Sequence, residues 1–306
     1  MQTSSNAFIP LIHPRHWLSW LGVGSLAVLA FLPWTIRYSL GVKAGKLMYR
    51  RNQKRRHIVS TNIAACFTNL NNEQQTNLVK QHFQAYTCAL LDYSILFFRS
   101  RQWLLKRIDI DGLDKLDKVI KKENNVLLLL GHSVWLEFAP VAIGHHYTSY
   151  GSYKPFNNPV FDYLIARSRL KDVAFIIARE EGMIKLVRSL KPGRLLFFLA
   201  DQDHGEKHSV FAPFFATNKA TLTSPARIAK LGKATTFPVM AFFDKSTGKY
   251  LVKIGNALDK FGQHTPEQDT KLMNIGFEQL IQDAPEQYLW MLKLLRTRPM
   301  GEKPLY

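Results

Sequence analysis

The stretch VLLLLGHSVWLEFAP, residues 126–140, decides how the chain folds and indicates where its chemistry lies. Five apolar residues lead into Gly131, which is typical of a strand buried on both faces of a sheet. The residues from Ser133 onward favour the start of a helix, so His132 stands at a strand-to-helix turn. Glu137 follows five residues later in apolar surroundings, where a carboxylate needs a partner.

The same alternation of strand and helix continues toward the C-terminus. Strand-like segments are NVLLLLG, YTSYGSYKP, VAFIIA, RLLFFLAD, TTFPVMAFFD and KYLVKIG, and the last two flank the turn residues KSTG as an antiparallel pair would. Helical patterns separate the others. We therefore predict an α/β fold with a mixed, centrally parallel sheet flanked by helices. Ligands bind such sheets at the carboxyl ends of strands, where His132 and Asp201 fall.

The N-terminal region has a different composition. Residues 17–36 are uncharged and mostly apolar, with tryptophans at both ends, and predict a transmembrane helix. The basic residues that follow, with no acid among them, are Arg37, Lys43, Lys46, Arg50, Arg51, Lys54, Arg55 and Arg56. This bias predicts that the rest of the chain lies on the cytoplasmic side and that the basic segment lies on anionic headgroups. The predicted regions are an anchor (1–36), a basic membrane-surface segment (37–70) and one α/β domain (71–306).

The chain has 306 residues and a formal net charge of +18, which favours anionic partners such as nucleic acid, a membrane surface, an acidic protein or a phosphorylated substrate. A membrane-tethered nucleic-acid-binding protein is one alternative, but the strands lack the interleaved aromatic and basic residues of an RNA-binding sheet. Cys66 and Cys88 form no metal or redox motif, so we expect buried free thiols in a reducing compartment.

The spacing of His132 and Glu137 suggests a catalytic pair. Positions five apart in one regular helix are rotated by about 140° and do not face each other. At a strand-to-helix turn, however, the ring could fold back and meet the carboxylate, which would hold Nδ1–H and leave Nε2 as a base. No nucleophile elbow is present, so deprotonation of a substrate alcohol is favoured. The alternative is that His132 caps the helix and Glu137 reaches the surface.

A metal site is a further alternative. The segment DQDHGEKHS contains Asp201, Asp203, His204 and His208, which could hold a divalent ion in a metal-dependent phosphohydrolase. Gly205 and its charged neighbours favour an exposed turn instead, and no second set of ligands is evident. We expect no metal and no cofactor.

Several segments, taken together, resemble a known family. The pattern H-x4-E after an apolar strand resembles the first motif of the glycerolipid and lysophospholipid acyltransferase superfamily. The segments HWLSWLGVGSLAVLAFLPW, GHSVWLE, YKPFNNPVFDYLIARSRL, LADQDHGEKHSVFAPFFATNKATLTS and PEQYLWMLKLLRTRP resemble the lipid A late acyltransferases, which are lauroyl and myristoyl transferases, over nearly the whole chain. The last two segments look most like the myristoyltransferase branch.

The resemblance implies roles for particular residues. His132 would be the general base and Glu137 its orienting acid, while Arg169, or alternatively Arg167, would position the substrate. Asp201 would lie close to that arginine and hold it. The backbone around Gly131 and the loop 201–205 are the candidate donors to an oxyanion.

The resemblance also implies the reaction. A fatty acyl chain would pass from an acyl carrier protein thioester to a hydroxyl of a primary acyl chain on the Kdo-bearing lipid A precursor. The expected partners are acyl carrier protein, that precursor and the anionic membrane surface. The expected location is the bacterial inner membrane, with a single N-terminal span and the catalytic domain on the cytoplasmic side. A lysophospholipid acceptor is the alternative within the superfamily, but the usual FPEG-like element is missing.

Overall fold

The computed structural model describes residues 9–122, 124–153, 157–178 and 182–306. The described helices are α1 Trp17–Phe31, α2 Trp34–Arg51, α3 Gln53–Cys66, α4 Asn72–Phe98, α5 Arg101–Leu105, α6 Leu113–Ile120, α7 Phe138–His146, α8 Pro159–Arg169, α9 Gly182–Ser189, α10 Ser224–Gly232 and α11 Pro266–Ile281. The described strands are β1 Ile108–Asp111, β2 Asn125–Leu130, β3 Thr148–Tyr153, β4 Phe175–Ala178, β5 Arg194–Leu199, β6 Ser209–Phe214, β7 Thr217–Leu222, β8 Ala234–Asp244 and β9 Lys249–Ile254.

The main sheet has seven strands in the order β1-β9-β8-β2-β5-β3-β4. Among the described strands of this sheet, only β8 and β9 pair antiparallel, and the neighbours of the central strand β2 are parallel to it. Alternate residues of β2 enter two different cores, with Leu127 and Leu129 on one face and Leu128 and Leu130 on the other. The predicted mixed, centrally parallel sheet flanked by helices is confirmed. Strand β2 could be recognised from the sequence because a strand buried on both faces must be apolar throughout.

A separate hairpin, β6–β7, was not predicted. In its turn, Phe215 has a φ of 51°, a left-handed conformation that is uncommon for a bulky residue. Because Phe215 and Ala216 form the turn in place of the usual glycine or asparagine, the local sequence does not indicate a hairpin there. The backbone N–H of Phe215 donates to the carboxylate of Glu278 on α11 at 2.9 Å. A tertiary contact therefore stabilises a turn that local sequence does not specify.

The sequence predicts one transmembrane helix over residues 17–36 with only a kink near Pro33, but the structure has two separate helices there. Helix α1 ends at Phe31, and Leu32 is extended (φ −67°, ψ 149°) because Pro33 disfavours helical conformation in the residue before it. Fifteen residues of α-helix are about 22 Å long, against about 30 Å of bilayer hydrocarbon. Across the described ranges, no helix has the length and apolar character needed to cross a membrane.

Residues 37–70 contain most of α2, all of α3 and a short connection, and α2 packs closely on α4. A Cβ on Gly41 would lie only 2.6 Å from the Sγ of Cys88, so the close approach requires glycine there. Arg37, expected on headgroups, is instead buried, and its Nε donates to Asp92 at 2.9 Å. The indole N–H of Trp135 donates to the other oxygen of the same carboxylate at 3.3 Å. This buried group ties α2 and α4 to the turn that follows His132.

Both cysteines are buried free thiols, as predicted. Burial raises the pKa of each thiol to about 12, so both are neutral at physiological pH.

Candidate active site

The strand register brings His132 and Asp201 together. Strands β2 and β5 are parallel neighbours, with Leu130 opposite Leu199. Continuing that register by two residues places His132 opposite Asp201, at the carboxyl edge of the sheet where ligands bind. Both side chains are buried, with Asp201 at 0% exposure and His132 at 7%.

Asp201 holds the ring of His132. One carboxylate oxygen accepts the backbone N–H of His132 at 2.7 Å, and the other pairs with Nδ1. Burial alone would raise the pKa of the Asp201 carboxyl, but the attraction of His132, its hydrogen bonds and the Lys219 ammonium together lower it. An ionised carboxylate can only accept, so Nδ1 carries the hydrogen and Nε2 keeps a lone pair. The pair therefore has the arrangement of a general base with an orienting acid.

Gln202 lies on the open side of the ring. Its side-chain nitrogen is 3.1 Å from Nε2 of His132, where it donates if Nδ1 is the protonated nitrogen. The amide occupies the position that a hydroxyl would take when giving its proton to Nε2. Sequence reasoning missed Gln202, although it directly follows Asp201 and therefore leaves the same strand end.

The predicted contact between Glu137 and His132 is wrong. Glu137 pairs instead with Arg169, whose Nε donates to one carboxylate oxygen at 3.0 Å and whose Nη2 contacts the other. The segment between His132 and Glu137 is held elsewhere, since the Tyr93 hydroxyl donates to Val134 O at 2.7 Å. That segment forms turns rather than a helix, which directs Glu137 toward α8.

The structure separates the two candidate arginines. Arg169 lies at the site with its side chain about one-fifth exposed, whereas Arg167 is exposed and its guanidinium lies 3.5 Å from the Tyr163 hydroxyl. The expected neighbour of the arginine, Asp201, contacts His132 instead. Each carboxylate thus has the partner predicted for the other.

A small recess of about 60 Å³ adjoins this ion pair. Its lining is apolar apart from Glu137 and Arg169, and the other lining residues are Leu130, Leu136, Pro140, Gly151, Val173, Phe197 and Leu199. Leu130 and Leu199 are the last residues of β2 and β5, two residues before His132 and Asp201 along the chain. The apolar character of the recess suits a hydrocarbon chain.

The backbone amides around Gly131 are already engaged. The N–H of Gly131 donates to Val239 O at 3.0 Å, and the N–H of Ser133 donates to Gly131 O at 2.8 Å. The N–H of His132 is held by Asp201. The expected oxyanion donors near Gly131 are therefore occupied, and the nearest identified donor to Nε2 of His132 is the Gln202 amide.

The alternative metal site is not assembled. Asp203 accepts hydrogen bonds from the backbone N–H of Thr297 at 2.6 Å, from its hydroxyl at 2.8 Å and from Gly205 N–H at 2.9 Å. Asp201 is engaged by His132, and His208 is exposed. Within the part of the chain that the structure describes, no three His, Cys, Asp or Glu side chains are grouped as metal ligands.

Comparisons of the sequence with known proteins find one family over almost the whole chain. The sequence model of the family described as "Bacterial lipid A biosynthesis acyltransferase" matches residues 8–297. A Haemophilus influenzae protein named lipid A biosynthesis acyltransferase is 31% identical over 294 residues, covering 95% of this chain and 91% of the relative.

Two Escherichia coli proteins are also similar. The lipid A biosynthesis lauroyltransferase is 30% identical, with 97% of each chain covered, and the lipid A biosynthesis myristoyltransferase is 28% identical, with 95% of this chain and 90% of the relative covered. The crystal structure of the 1-acyl-sn-glycerophosphate acyltransferase from Thermotoga maritima covers 83% of this chain and 98% of its own, at 13% identity. Its TM-score of 0.35 is too low to support an inference.

Proposed function

The chain belongs to the bacterial lipid A biosynthesis acyltransferase family and is an acyltransferase, and from this premise we propose the reaction that it performs. A lauroyl or myristoyl chain passes from an acyl carrier protein thioester to a free hydroxyl on a primary acyl chain of the Kdo-bearing lipid A precursor. The observation that carries this proposal is the buried His132–Asp201 pair, in which Asp201 holds Nδ1 and Nε2 faces the Gln202 amide.

The transfer needs one base that later serves as the acid. The acceptor hydroxyl displaces the Gln202 amide and gives its proton to Nε2 of His132, while Asp201 stabilises the imidazolium. The oxygen attacks the thioester carbonyl carbon and forms a tetrahedral oxyanion. When that oxyanion collapses, the carbon–sulfur bond breaks and the thiolate takes the proton from His132. No cofactor or metal is required, and the displaced Gln202 amide is a candidate donor to the oxyanion.

The Glu137–Arg169 pair supports substrate positioning. Two parallel hydrogen bonds hold the guanidinium fork in one orientation beside the recess, which an isolated arginine would not maintain. The acyl chain lies in the recess next to this fork.

The N-terminal helices support association with an anionic membrane surface. Trp17, Leu18 and Leu21 on α1 are 64%, 81% and 69% exposed, which is unusual for three large apolar side chains so close together. Lys46 and Arg50 are exposed on the neighbouring helix α2. This combination of apolar and basic surface suits the interface of the bacterial inner membrane on its cytoplasmic side.

The test compares the wild-type enzyme with His132→Ala. Purified protein is supplied with lauroyl or myristoyl acyl carrier protein and the Kdo-bearing precursor, and the masses of the products are measured by mass spectrometry. We expect the wild type to add the mass of one acyl chain, and His132→Ala to be slower by about 10²–10⁴-fold. The matched control is His146→Ala, at an exposed histidine ending α7, which should keep the wild-type rate.

Two outcomes would contradict the proposal. A folded His132→Ala protein with wild-type turnover would exclude the histidine as base. Acylation of a lysophospholipid in place of the lipid A precursor would favour the alternative acceptor of the superfamily.

A further inference from the structure

Strand β8 extends beyond its neighbour β2 at the carboxyl edge of the main sheet. The last pair between the two strands is Leu130 with Val239, after which the chain that formed β2 turns away at His132. Strand β8 continues to Asp244 and stays paired with β9 on its other side. Because Phe243 is buried in this extension, its backbone N–H and C=O need protein partners in place of water.

Gln287 supplies those partners with its side-chain amide. The N–H of Phe243 donates to Oε1 of Gln287 at 2.8 Å, and Nε2 of Gln287 donates to Phe243 O at 3.0 Å. The amide thus pairs with both backbone groups of one residue, as an antiparallel neighbouring strand would. Gln287 is itself buried. One side chain therefore fixes the C-terminal segment 287–289 to the edge of the main sheet.

The segment 287–289 holds the turn that carries His132. The backbone N–H of Val134 donates to Gln287 O at 2.8 Å, and the N–H of Leu289 donates to His132 O at 2.7 Å. Between these two hydrogen bonds, the middle residues of the turn and of the segment form an antiparallel β-bridge. Gln287 therefore contacts strand β8 through its side chain and the catalytic turn through its backbone.

The backbone of His132 is held by residues that are distant in the sequence. Its N–H donates to Asp201 at 2.7 Å, and its C=O accepts from Leu289. On the other side of the turn, the Tyr93 hydroxyl donates to Val134 O. A displacement of segment 287–289 would therefore move the ring of His132 relative to the carboxylate of Asp201.

We propose that Gln287 is a positioning residue for acyl transfer, whose side-chain amide fixes segment 287–289 to Phe243 and so keeps the ring of His132 against Asp201. This inference rests on the proposed function, in which His132 is the base. Gln287 acts through the turn and not on the substrate, so its loss should slow the chemical step without weakening substrate binding. A misplacement of about 1 Å at a catalytic group can lower the rate by about 10²-fold.

The experiment uses Gln287→Met, in which a flexible side chain of similar length lacks both the donor and the acceptor. kcat and KM are measured with acyl carrier protein thioester and lipid A precursor, and thermal unfolding is recorded in parallel. We expect kcat to fall by about 10–100-fold while KM changes by less than about twofold. Tm should also fall, because two buried backbone groups of Phe243 lose their partners.

A second variant covers the case in which Gln287→Met does not fold. In Gln287→Asn the amide is kept on a side chain that is one methylene shorter, so it cannot reach both backbone groups of Phe243 unless segment 287–289 moves. This variant should show the same fall in kcat at unchanged KM, to a smaller extent.

A spectroscopic measurement reports on the ring directly. The proton on Nδ1 of His132 lies against a carboxylate, so its NMR resonance is expected at low field, and its loss in His132→Ala assigns it. In the Gln287 variants this resonance should move or disappear, because the ring is no longer held against Asp201. A residue that only stabilised the fold would leave the resonance in place.

Asn125→Ala is the matched control. The amide of Asn125 also bonds a backbone carbonyl, Gly232 O at 2.7 Å, but it lies at the opposite end of β2, about 20 Å from His132 along the chain direction. This variant should lower Tm while leaving kcat and the Nδ1 proton resonance unchanged.

The outcomes distinguish this inference from the proposed function. If His132→Ala is inactive while a folded Gln287→Met protein keeps the wild-type kcat or the wild-type Nδ1 resonance, the role of Gln287 is refuted alone. If His132→Ala turns over normally, the proposed base fails, and the resonance still decides whether Gln287 holds the ring. An equal loss of kcat in Asn125→Ala and Gln287→Met would show that lowered stability, and not the position of the ring, slows the enzyme.

Discussion

Replacing Asp201 with asparagine should keep the shape of the site but reverse the tautomer of His132. The carboxylate accepts two hydrogen bonds from His132, from its backbone N–H at 2.7 Å and from Nδ1–H. An asparagine amide has one acceptor and one donor. The backbone N–H can donate only to the oxygen, so the NH₂ group must face Nδ1 and donate to it. The hydrogen of the ring then moves to Nε2, and the base is lost.

The magnitude follows from that geometry. The same change in a Ser-His-Asp triad reduces kcat by about 10⁴, which corresponds to about 5 kcal/mol in the activation barrier. We expect a loss of about 10³–10⁴ in kcat for Asp201→Asn. Because the pKa of Asp201 is lowered in the folded protein, its ionisation stabilises the fold above the unfolded pKa of about 3.9. The variant should therefore also lose about 2 kcal/mol of unfolding free energy at neutral pH, the contribution of a charged hydrogen bond.

The informative assay measures Asp201→Asn beside Glu137→Gln. Glu137 holds Arg169 at a partly exposed pair, so Glu137→Gln should raise KM and change kcat by less than about tenfold. Denaturant unfolding at pH 7 confirms that both variants are folded. The reverse result, a large loss of kcat in Glu137→Gln with kcat nearly unchanged in Asp201→Asn, would refute the His132–Asp201 pairing. That result would support Glu137, the partner predicted from sequence spacing, as the residue that orients His132.

Three further changes test the surrounding structure. His82 is fully buried, with Nδ1 2.9 Å from Glu286 O, and burial lowers the pKa of its ring to about 4. The unfolded chain therefore takes up a proton that the folded protein does not, and the free energy of unfolding should fall by about 3 kcal/mol as the pH drops from 6.5 to 4. His82→Asn should remove this pH dependence. Asp92→Ala leaves Arg37 buried without its carboxylate and should lower the unfolding free energy by about 3–5 kcal/mol in urea denaturation. Exhaustive chelation with EDTA should leave the rate unchanged within about twofold, because Asp203 already accepts three protein hydrogen bonds.

Each of these expectations can fail in a defined way. An unchanged acid dependence in His82→Asn would mean that another group titrates between the two pH values. A urea midpoint of Asp92→Ala equal to the wild type would show that the Arg37 pair adds nothing to stability. Activity lost on chelation and restored by a divalent ion would revive the metal-dependent alternative.

The secondary structure of the catalytic domain was largely predictable, because it depends on local patterns. The apolar run before Gly131 and the apolar segment before Asp201 each form a buried strand, as their composition predicts. The exceptions have local explanations. The helix over residues 17–36 was predicted from its uncharged length and flanking tryptophans, with only a kink near Pro33. Pro33 instead keeps Leu32 extended, and α1 ends at Phe31.

The pairing of side chains at the site was not predictable in the same way. His132 and Glu137 are five residues apart, and that short separation favoured them as partners, whereas Asp201 is 69 residues from His132 along the chain. Asp201 is nevertheless the closer side chain, because β5 inserts beside β2 in the sheet although β3 and β4 lie between them in sequence. Strand order depends on how the helices and loops pack, and no single segment encodes it.

The sequence by itself determined the α/β class, the strand ends where the chemistry lies, and the residue types required for acyl transfer, because hydrophobic periodicity and side-chain chemistry are local properties. Only the tertiary structure decided that Asp201 contacts His132 and that Glu137 holds Arg169. These contacts depend on strand register and on the exclusion of water from the core. Both arise only when distant segments pack together.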